Sequence, residues 1–133
     1  MALAEGDWIV VPRVEIRIIE EPKVYACVGC KTHLSTEGNV ISKDFTTQTG
    51  RGFLITDVVN VTNGPSLTRS LRTGKHVCED VSCAGCDATV GWEYKDTEEK
   101  MQKYKIGKFV LEQAKITKHD WGRDKDGTDV ATG

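Results

Sequence analysis

The chain has 133 residues, 38% of them hydrophobic and 29% charged, with 13 Gly, 3 Pro and 5 Cys. That is the material of one folded domain burying roughly two-thirds of its unfolded surface, and it excludes a disordered or collagen-like chain. Eighteen Lys plus Arg against 20 Asp plus Glu leave a net charge of −2 and a pI near 5.9, so no overall positive field favours DNA, RNA or anionic lipid.

In chain order, Met1 to Trp8 carry Glu5 and Asp7 where a secretory leader is positive, and no apolar stretch of leader length follows. Nowhere do enough apolar residues run together for a membrane span. The expectation is an intracellular protein. Residues 1–22, with Ile16, Ile18 and Ile19 near their end, read as an extension that adds an edge strand or lies on the domain. Short β-rich runs then follow: Val24 to Ala26, Gly52 to Val61, Val77 to Val81, Thr89 to Tyr94 and Tyr104 to Leu111. Asn63-Gly64-Pro65 and Thr73-Gly74-Lys75 read as turns between them. Thr97 to Gln102 is the one stretch of helix-forming composition and supplies little more than a turn or two. Residues 119–133 read as a mobile tail. Asp124-Lys125-Asp126-Gly127 in it is like part of a calcium loop, but the loop's first and last ligands would be Gly122 and Gly133, which cannot coordinate. The sequence therefore predicts a mainly β domain over 23–118 with little helix, flanked by residues 1–22 and 119–133.

The cysteines carry the chemistry. Cys27-Val28-Gly29-Cys30 and Cys83-Ala84-Gly85-Cys86 are two C-x-x-C pairs with a glycine at the same place in each. Two intervening residues let both thiolates of a pair face one cation, and the glycines make an unusual φ cheap. Four thiolates at about 2.3 Å in a tetrahedron suit zinc(II), and a shell with no open position is structural rather than catalytic. Two unrelated pairs of buried thiols, or two redox-active dithiols, fit the same residues, but the paired spacing favours one structural zinc. The long separation of the pairs implies that the metal clamps two β-hairpins, one from each end of the domain. A short echo, Cys-Val-Gly-Cys-Lys-Thr-His-Leu against Cys-Ala-Gly-Cys-Asp-Ala-Thr-Val, accords with two equivalent knuckles.

With these residues in view, the chain resembles the yippee (yippee-like) family from Tyr25 to Glu112, about two-thirds of its length. The resemblance rests on Tyr25-Ala26-Cys27 with Cys30, Ile41-Ser42-Lys43 with Phe45, Gly50-Arg51-Gly52, Val58-Val59-Asn60-Val61 and Gly64-Pro65. It continues through Thr73-Gly74-Lys75-His76 with Asp80, Cys83 with Cys86, Gly91-Trp92-Glu93-Tyr94, Gln102-Lys103-Tyr104-Lys105 and Gly107-Lys108-Phe109. It implies a β-tent, two antiparallel sheets pinned by one zinc at the apex, shared with the thalidomide-binding domain of cereblon, the Mis18 centromere proteins and the B-type methionine sulfoxide reductases. It also implies a non-catalytic protein-interaction module, nuclear or cytoplasmic, associated with a ubiquitin ligase of the GID/CTLH type. In the cereblon relative an aromatic cage binds cyclic imides; here only Trp92 and Tyr94 persist, with Cys78 and Arg72 where that relative has tryptophans, a departure that leaves a partial, more polar pocket.

Trp92 falls in an alternating run with Val90 and Tyr94, which places all three on one sheet face, either as core or as a recognition platform. With His76 and Phe53 they form the candidate pocket for a protein partner or small-molecule ligand. His76, just after a turn, is also suited to a structural hydrogen bond. Cys78 reads as a small buried hydrophobe, the alternative being the nucleophile of a thiol-dependent reductase or part of a small-molecule sensor beside Trp92. Thr73-Gly74-Lys75 lacks the upstream glycine and following hydroxyl of a phosphate loop. Asn60-Val61-Thr62 has the form of a glycosylation sequon that a strand in an intracellular chain leaves unused. Lys100, Lys103, Lys105 and Lys108 read as a solvent-facing basic run, the alternative being a modest contact with RNA or an acidic protein.

Overall fold

A computed structural model of the chain describes residues 15–119 and Trp121. Among the described residues the strands are β1 (Val24–Cys27), β2 (His33–Thr36), β3 (Val40–Thr47), β4 (Gly50–Ile55), β5 (Val61–Leu71), β6 (Gly74–Cys83), β7 (Thr89–Thr97), β8 (Phe109–Glu112) and β9 (Ile116–His119). They form two antiparallel sheets, a three-stranded one in the order β2-β1-β9 and a six-stranded one in the order β3-β4-β8-β7-β6-β5. Helix is confined to 3-10 turns at Glu37–Asn39, Lys100–Lys105 and Gln113–Lys115.

Alternation along the strands fixes what lies on each face of the large sheet. Phe53, Ile55, Val81 and Leu111 point toward the small sheet and join its Tyr25, Cys27, Leu34 and Ile116 in the main core. Leu54, Cys78, Tyr94 and Val110 are buried on the opposite face, under Phe45, Leu71 and Trp92. In the pairing of β4 with β8, Phe53 faces Leu111 and Leu54 faces Val110. The unbroken apolar run Phe53-Leu54-Ile55 is what a strand covered on both sides requires. β7 approaches β8 so closely that a Cβ on Gly91 would stand 1.8 Å from the Val110 carbonyl oxygen, so only glycine fits there.

Several expected elements change. Gly52 to Val61 is not one strand: β4 ends at Ile55, and the chain crosses toward β2 before β5 begins. Val58 turns into the main core, the Ser35 hydroxyl donates to the Asp57 carbonyl (2.6 Å) and Val59 N–H to Leu34 O (2.9 Å). Asn60, at φ 61°, ends that extended path. Asn63-Gly64-Pro65 is not a turn but an irregularity inside β5. β5 is an edge strand, where a proline's missing N–H leaves no ladder bond unmade. Thr73-Gly74-Lys75 does sit at a hairpin turn, with Leu71 opposite Gly74 at φ +114°. Tyr104 and Lys105 close a 3-10 turn instead of starting a strand, and Gly107 (φ +84°) reverses the chain into β8.

Residues 15–22 form no strand; Arg17 and Ile19 are held instead through the side chains of Asn60 and His33. At the other end, His119 pairs with Val24 in β9, and Trp121 packs edge-on to Tyr25 with its indole donating to Val24 O at 2.7 Å. The remainder of the expected N-terminal extension (1–14) and tail (120, 122–133) lies outside the described residues. No helix among the described residues is long and apolar enough to cross a membrane.

Candidate metal centre

The two knuckles are built alike. Cys27 ends β1 and Cys83 ends β6, so each first cysteine is fixed by a sheet and buried, while Cys30 and Cys86 come from the turns and are exposed. In the first knuckle Lys31 N–H donates to Cys27 O and Cys27 N–H to Thr32 O, both at 2.8 Å. In the second, Asp87 N–H donates to Cys83 O at 2.7 Å and Cys83 N–H to Ala88 O at 2.8 Å. Each turn is closed by a left-handed residue, Lys31 at φ 67° and Asp87 at φ 68°. The expectation that Gly29 and Gly85 supply the unusual φ is thus corrected: the residue after each second cysteine does so.

Gly85 is required for a different reason. A Cβ there would lie 2.2 Å from Thr32 Oγ1 and 3.1 Å from Cys30 Sγ, whereas one on Gly29 would stand 3.9 Å from the Cys27 and Cys86 sulfurs. The Thr32 hydroxyl fills the space above Gly85 and hydrogen-bonds Cys30 Sγ at 3.0 Å.

The four sulfurs lie within 4.8 Å of one another. The Cys27–Cys86 and Cys30–Cys83 separations are 3.7 and 3.5 Å, too long for disulfides. A tetrahedron with metal–sulfur bonds of about 2.3 Å has edges of about 3.8 Å, so the residues fit zinc(II). The Thr32 hydrogen bond leads the causes that pull the Cys30 thiol down to about 6. Burial pushes Cys83 up. At Cys86 a hydrogen bond from the Ala88 backbone works downward, but the neighbouring Cys27 and Cys30 sulfurs outweigh it and push the thiol up to about 12. Thiols that resist losing their protons together are relieved by a divalent cation among them. When bound, zinc supplies four bonds that tie the β1–β2 hairpin of the small sheet to the β6–β7 hairpin of the large one.

Asn60, which the sequence presents only as a family match and an unused sequon, has a structural role. Its side chain accepts from Arg17 N–H (2.8 Å) and donates to Arg17 O (2.8 Å) and His33 O (2.7 Å), and its carbonyl accepts from Ala84 N–H (2.8 Å). It therefore joins β2, the second knuckle and the segment before β1. Burial with every hydrogen bond taken, rather than strand position, is what closes the sequon. The only advance signal was an Asn ahead of a β-branched run, a residue that tolerates positive φ.

The expected pocket is only partly assembled. Trp92 and Tyr94 share a face and line an open cavity of about 550 Å³ with Phe45, Tyr104, Lys105 and Arg72. Val90 does not join them. The pairings Ser82 with Thr89 and Val81 with Gly91 leave Val90 as a bulge residue, which sends its side chain into the main core. Phe53 is likewise corrected: alternation in β4 puts Leu54 on the Trp92 face, and Phe53 packs against Tyr25 at 5.7 Å in the main core. Phe45 of β3 takes the place expected for it. His76 is buried behind Tyr94, with ring centroids 5.4 Å apart, and borders a separate cavity with Asp96 and Glu99. Its Nδ1 lies 2.9 Å from Gly74 O, which is the structural role. Cys78 is 0% exposed, and burial raises its thiol, the reverse of what a nucleophile needs. Burial pushes the Tyr94 phenol up to about 12, with the Trp92 indole acting the other way.

Lys105 departs from the solvent-facing reading of the basic run. It is 3% exposed, with Nζ 5.2 Å from the Phe45 ring, 5.3 Å from Tyr94 and 6.0 Å from Tyr104, and 3.1 Å from Thr73 Oγ1.

Comparison with known proteins agrees with this geometry. The family profile described as "Yippee zinc-binding/DNA-binding /Mis18, centromere assembly" matches residues 23–129. A yippee-like protein of Arabidopsis thaliana is 44% identical over 100 residues, 75% of this chain and 94% of that protein. Yippee-like 3 of Danio rerio is 44% identical over 94 residues, 71% of this chain and 79% of that protein. The crystal structure of a Mis18 "Yippee-like" domain superposes with a TM-score of 0.59 at 17% identity, covering 77% of this chain and 100% of that one, a likeness of fold. On its profile, its relatives and four cysteines placed to hold one zinc ion, the chain belongs to the Yippee/Mis18 family.

Proposed function

We propose that the chain is a non-catalytic adaptor or regulatory subunit of a larger nuclear or cytoplasmic complex such as a GID/CTLH-type ubiquitin ligase, and that the Trp92 face of its large sheet is the recognition surface. The observation that carries this reading is the division of labour between the two faces. One is sealed by the small sheet and the four-sulfur centre, whose filled coordination shell leaves no position for a substrate. The other keeps an open aromatic cavity, and the thiol beneath it, Cys78, is buried, which favours its protonated form. That combination suits binding and gives a reductase built on Cys78 no reactive thiolate.

The test is affinity purification of the parent chain, Trp92→Ala and Cys78→Ser, with zinc content checked for each and partners identified by mass spectrometry. Partners should be lost with Trp92→Ala and kept with Cys78→Ser. A partner set indifferent to Trp92, or thiol-coupled turnover by the parent that Cys78→Ser abolishes, would reject the reading.

A further inference from the structure

The cavity beside Trp92 holds a cation that its own surroundings leave short of a counter-charge. Lys105 is buried, yet among the described residues no carboxylate lies within ion-pair distance of it; its ammonium has three ring faces and one hydroxyl, that of Thr73. Burial accordingly works against its charge. A second cation lines the same space. The exposed Arg72 guanidinium has no partner among the described residues. The acid at the rim, Asp44, is 88% exposed and leans to Arg51 at 4.0 Å. Unmet donors around an under-neutralised cation call for an anionic acceptor. A cationic guest is disfavoured because Lys105 already occupies the ring faces that would hold it.

The wall of the cavity says what carries the anion. Tyr104 (54% exposed) lines the cavity, and Met101 (83%) stands three residues before it, one repeat of the 3-10 turn Lys100–Lys105. An apolar apron beside a charged hole fits a polypeptide that lays apolar side chains on the rim while one acid enters.

We infer that this cavity recognises an Asp or Glu side chain of an acidic, partly apolar segment in a protein partner, received by Lys105 and Arg72. The inference rests on the interaction-module reading and names the chemistry of its partner.

The test takes the zinc-loaded full chain and an array of short acetylated, amidated peptides, each holding one Asp or Glu among apolar residues, beside a twin array with Asn or Gln in that place. Acidic members should bind, and their amide twins should bind about tenfold more weakly or worse. Lys105→Met and Arg72→Gln should each weaken the acidic peptides by about tenfold or more. Arg72, being exposed, keeps the test decisive should Lys105→Met fail to fold. Equal binding of the amide twins, undiminished binding by either folded variant, or an acidic array that never binds would overturn the inference. Cellular partners lost with Trp92→Ala but kept with Lys105→Met and Arg72→Gln would overturn it too, while leaving the module reading intact.

Discussion

Alanine at Gly85 and alanine at Gly29 are the same chemical change at equivalent positions of two nearly superposable loops, and the structure predicts opposite outcomes. At Gly85 the new Cβ would lie 2.2 Å from Thr32 Oγ1. Threonine escapes by rotating its hydroxyl away, which breaks the 3.0 Å bond to Cys30 Sγ. A hydrogen bond to a charged group is worth about 1.5–3 kcal/mol. Crowding persists at 3.3 Å from Thr32 Cβ, adding about 1 kcal/mol. The total of roughly 2.5–4 kcal/mol corresponds to a Tm lower by about 10–16 °C for a domain of this size. Zinc affinity should fall by about 10–100-fold, as for other partners that orient metal ligands. At Gly29 a Cβ would meet only the Cys27 and Cys86 sulfurs, each at 3.9 Å, an ordinary van der Waals contact. Gly29→Ala should leave zinc affinity unchanged and stability equal or higher by up to about 1 kcal/mol. Differential scanning calorimetry with competition against a chromophoric chelator reads both quantities. Equal losses in the two variants, or a larger loss at Gly29, would show that the loops are not packed against each other as described.

Asn60→Ala removes three side-chain hydrogen bonds and keeps an unfavourable φ of 61°, for a cost of roughly 3–5 kcal/mol in urea unfolding; a loss under about 1 kcal/mol would contradict its role as a joint. Around Glu37, burial tends to raise the carboxyl, but hydrogen bonds from Tyr25 (2.6 Å) and Lys43 (2.9 Å) outweigh it and hold the group below 4.5. Its contribution is present above its unfolded value and is lost as pH falls through the depressed folded one. Glu37→Gln should therefore cost about 1 kcal/mol at neutral pH and progressively less below about pH 4.5, and a deficit that persists unchanged in acid would contradict this. Because Cys83 and Cys86 resist deprotonation, zinc uptake by the metal-free chain should release protons, visible as a buffer-dependent heat in calorimetry; a buffer-independent heat would contradict it.

How much of this was readable beforehand depended on whether the signal was local. The C-x-x-C pairs announce themselves because ligand spacing is a property of four consecutive residues, and their echo survives in the structure as matched hydrogen bonds and matched left-handed residues. The β class was equally visible in the short β-branched runs. Side-chain facing failed where it depended on another strand. Val90 alternates with Trp92 in the sequence, yet the extra residue in its pairing with β6 sends it to the other side. Phe53 and Leu54 are indistinguishable as apolar neighbours until β4 is known to be covered on both faces. Lys105 looked like part of a solvated run, since nothing in Lys103-Tyr104-Lys105 tells that a 3-10 turn folds it beneath Tyr104 onto Phe45 and Tyr94. Polar strands such as β3, Val-Ile-Ser-Lys-Asp-Phe-Thr-Thr, went unread because their order comes from the neighbour they pair with rather than from their own composition.

Sulfur and zinc X-ray absorption on natively purified protein, with elemental analysis of the same sample, addresses the central claim most directly. One zinc per chain with four sulfur neighbours at about 2.3 Å is the expected result. Sulfur oxidised to disulfide, nitrogen or oxygen in the first coordination sphere, or protein that is folded and free of metal would contradict the picture of two sheets held together by a single four-thiolate centre.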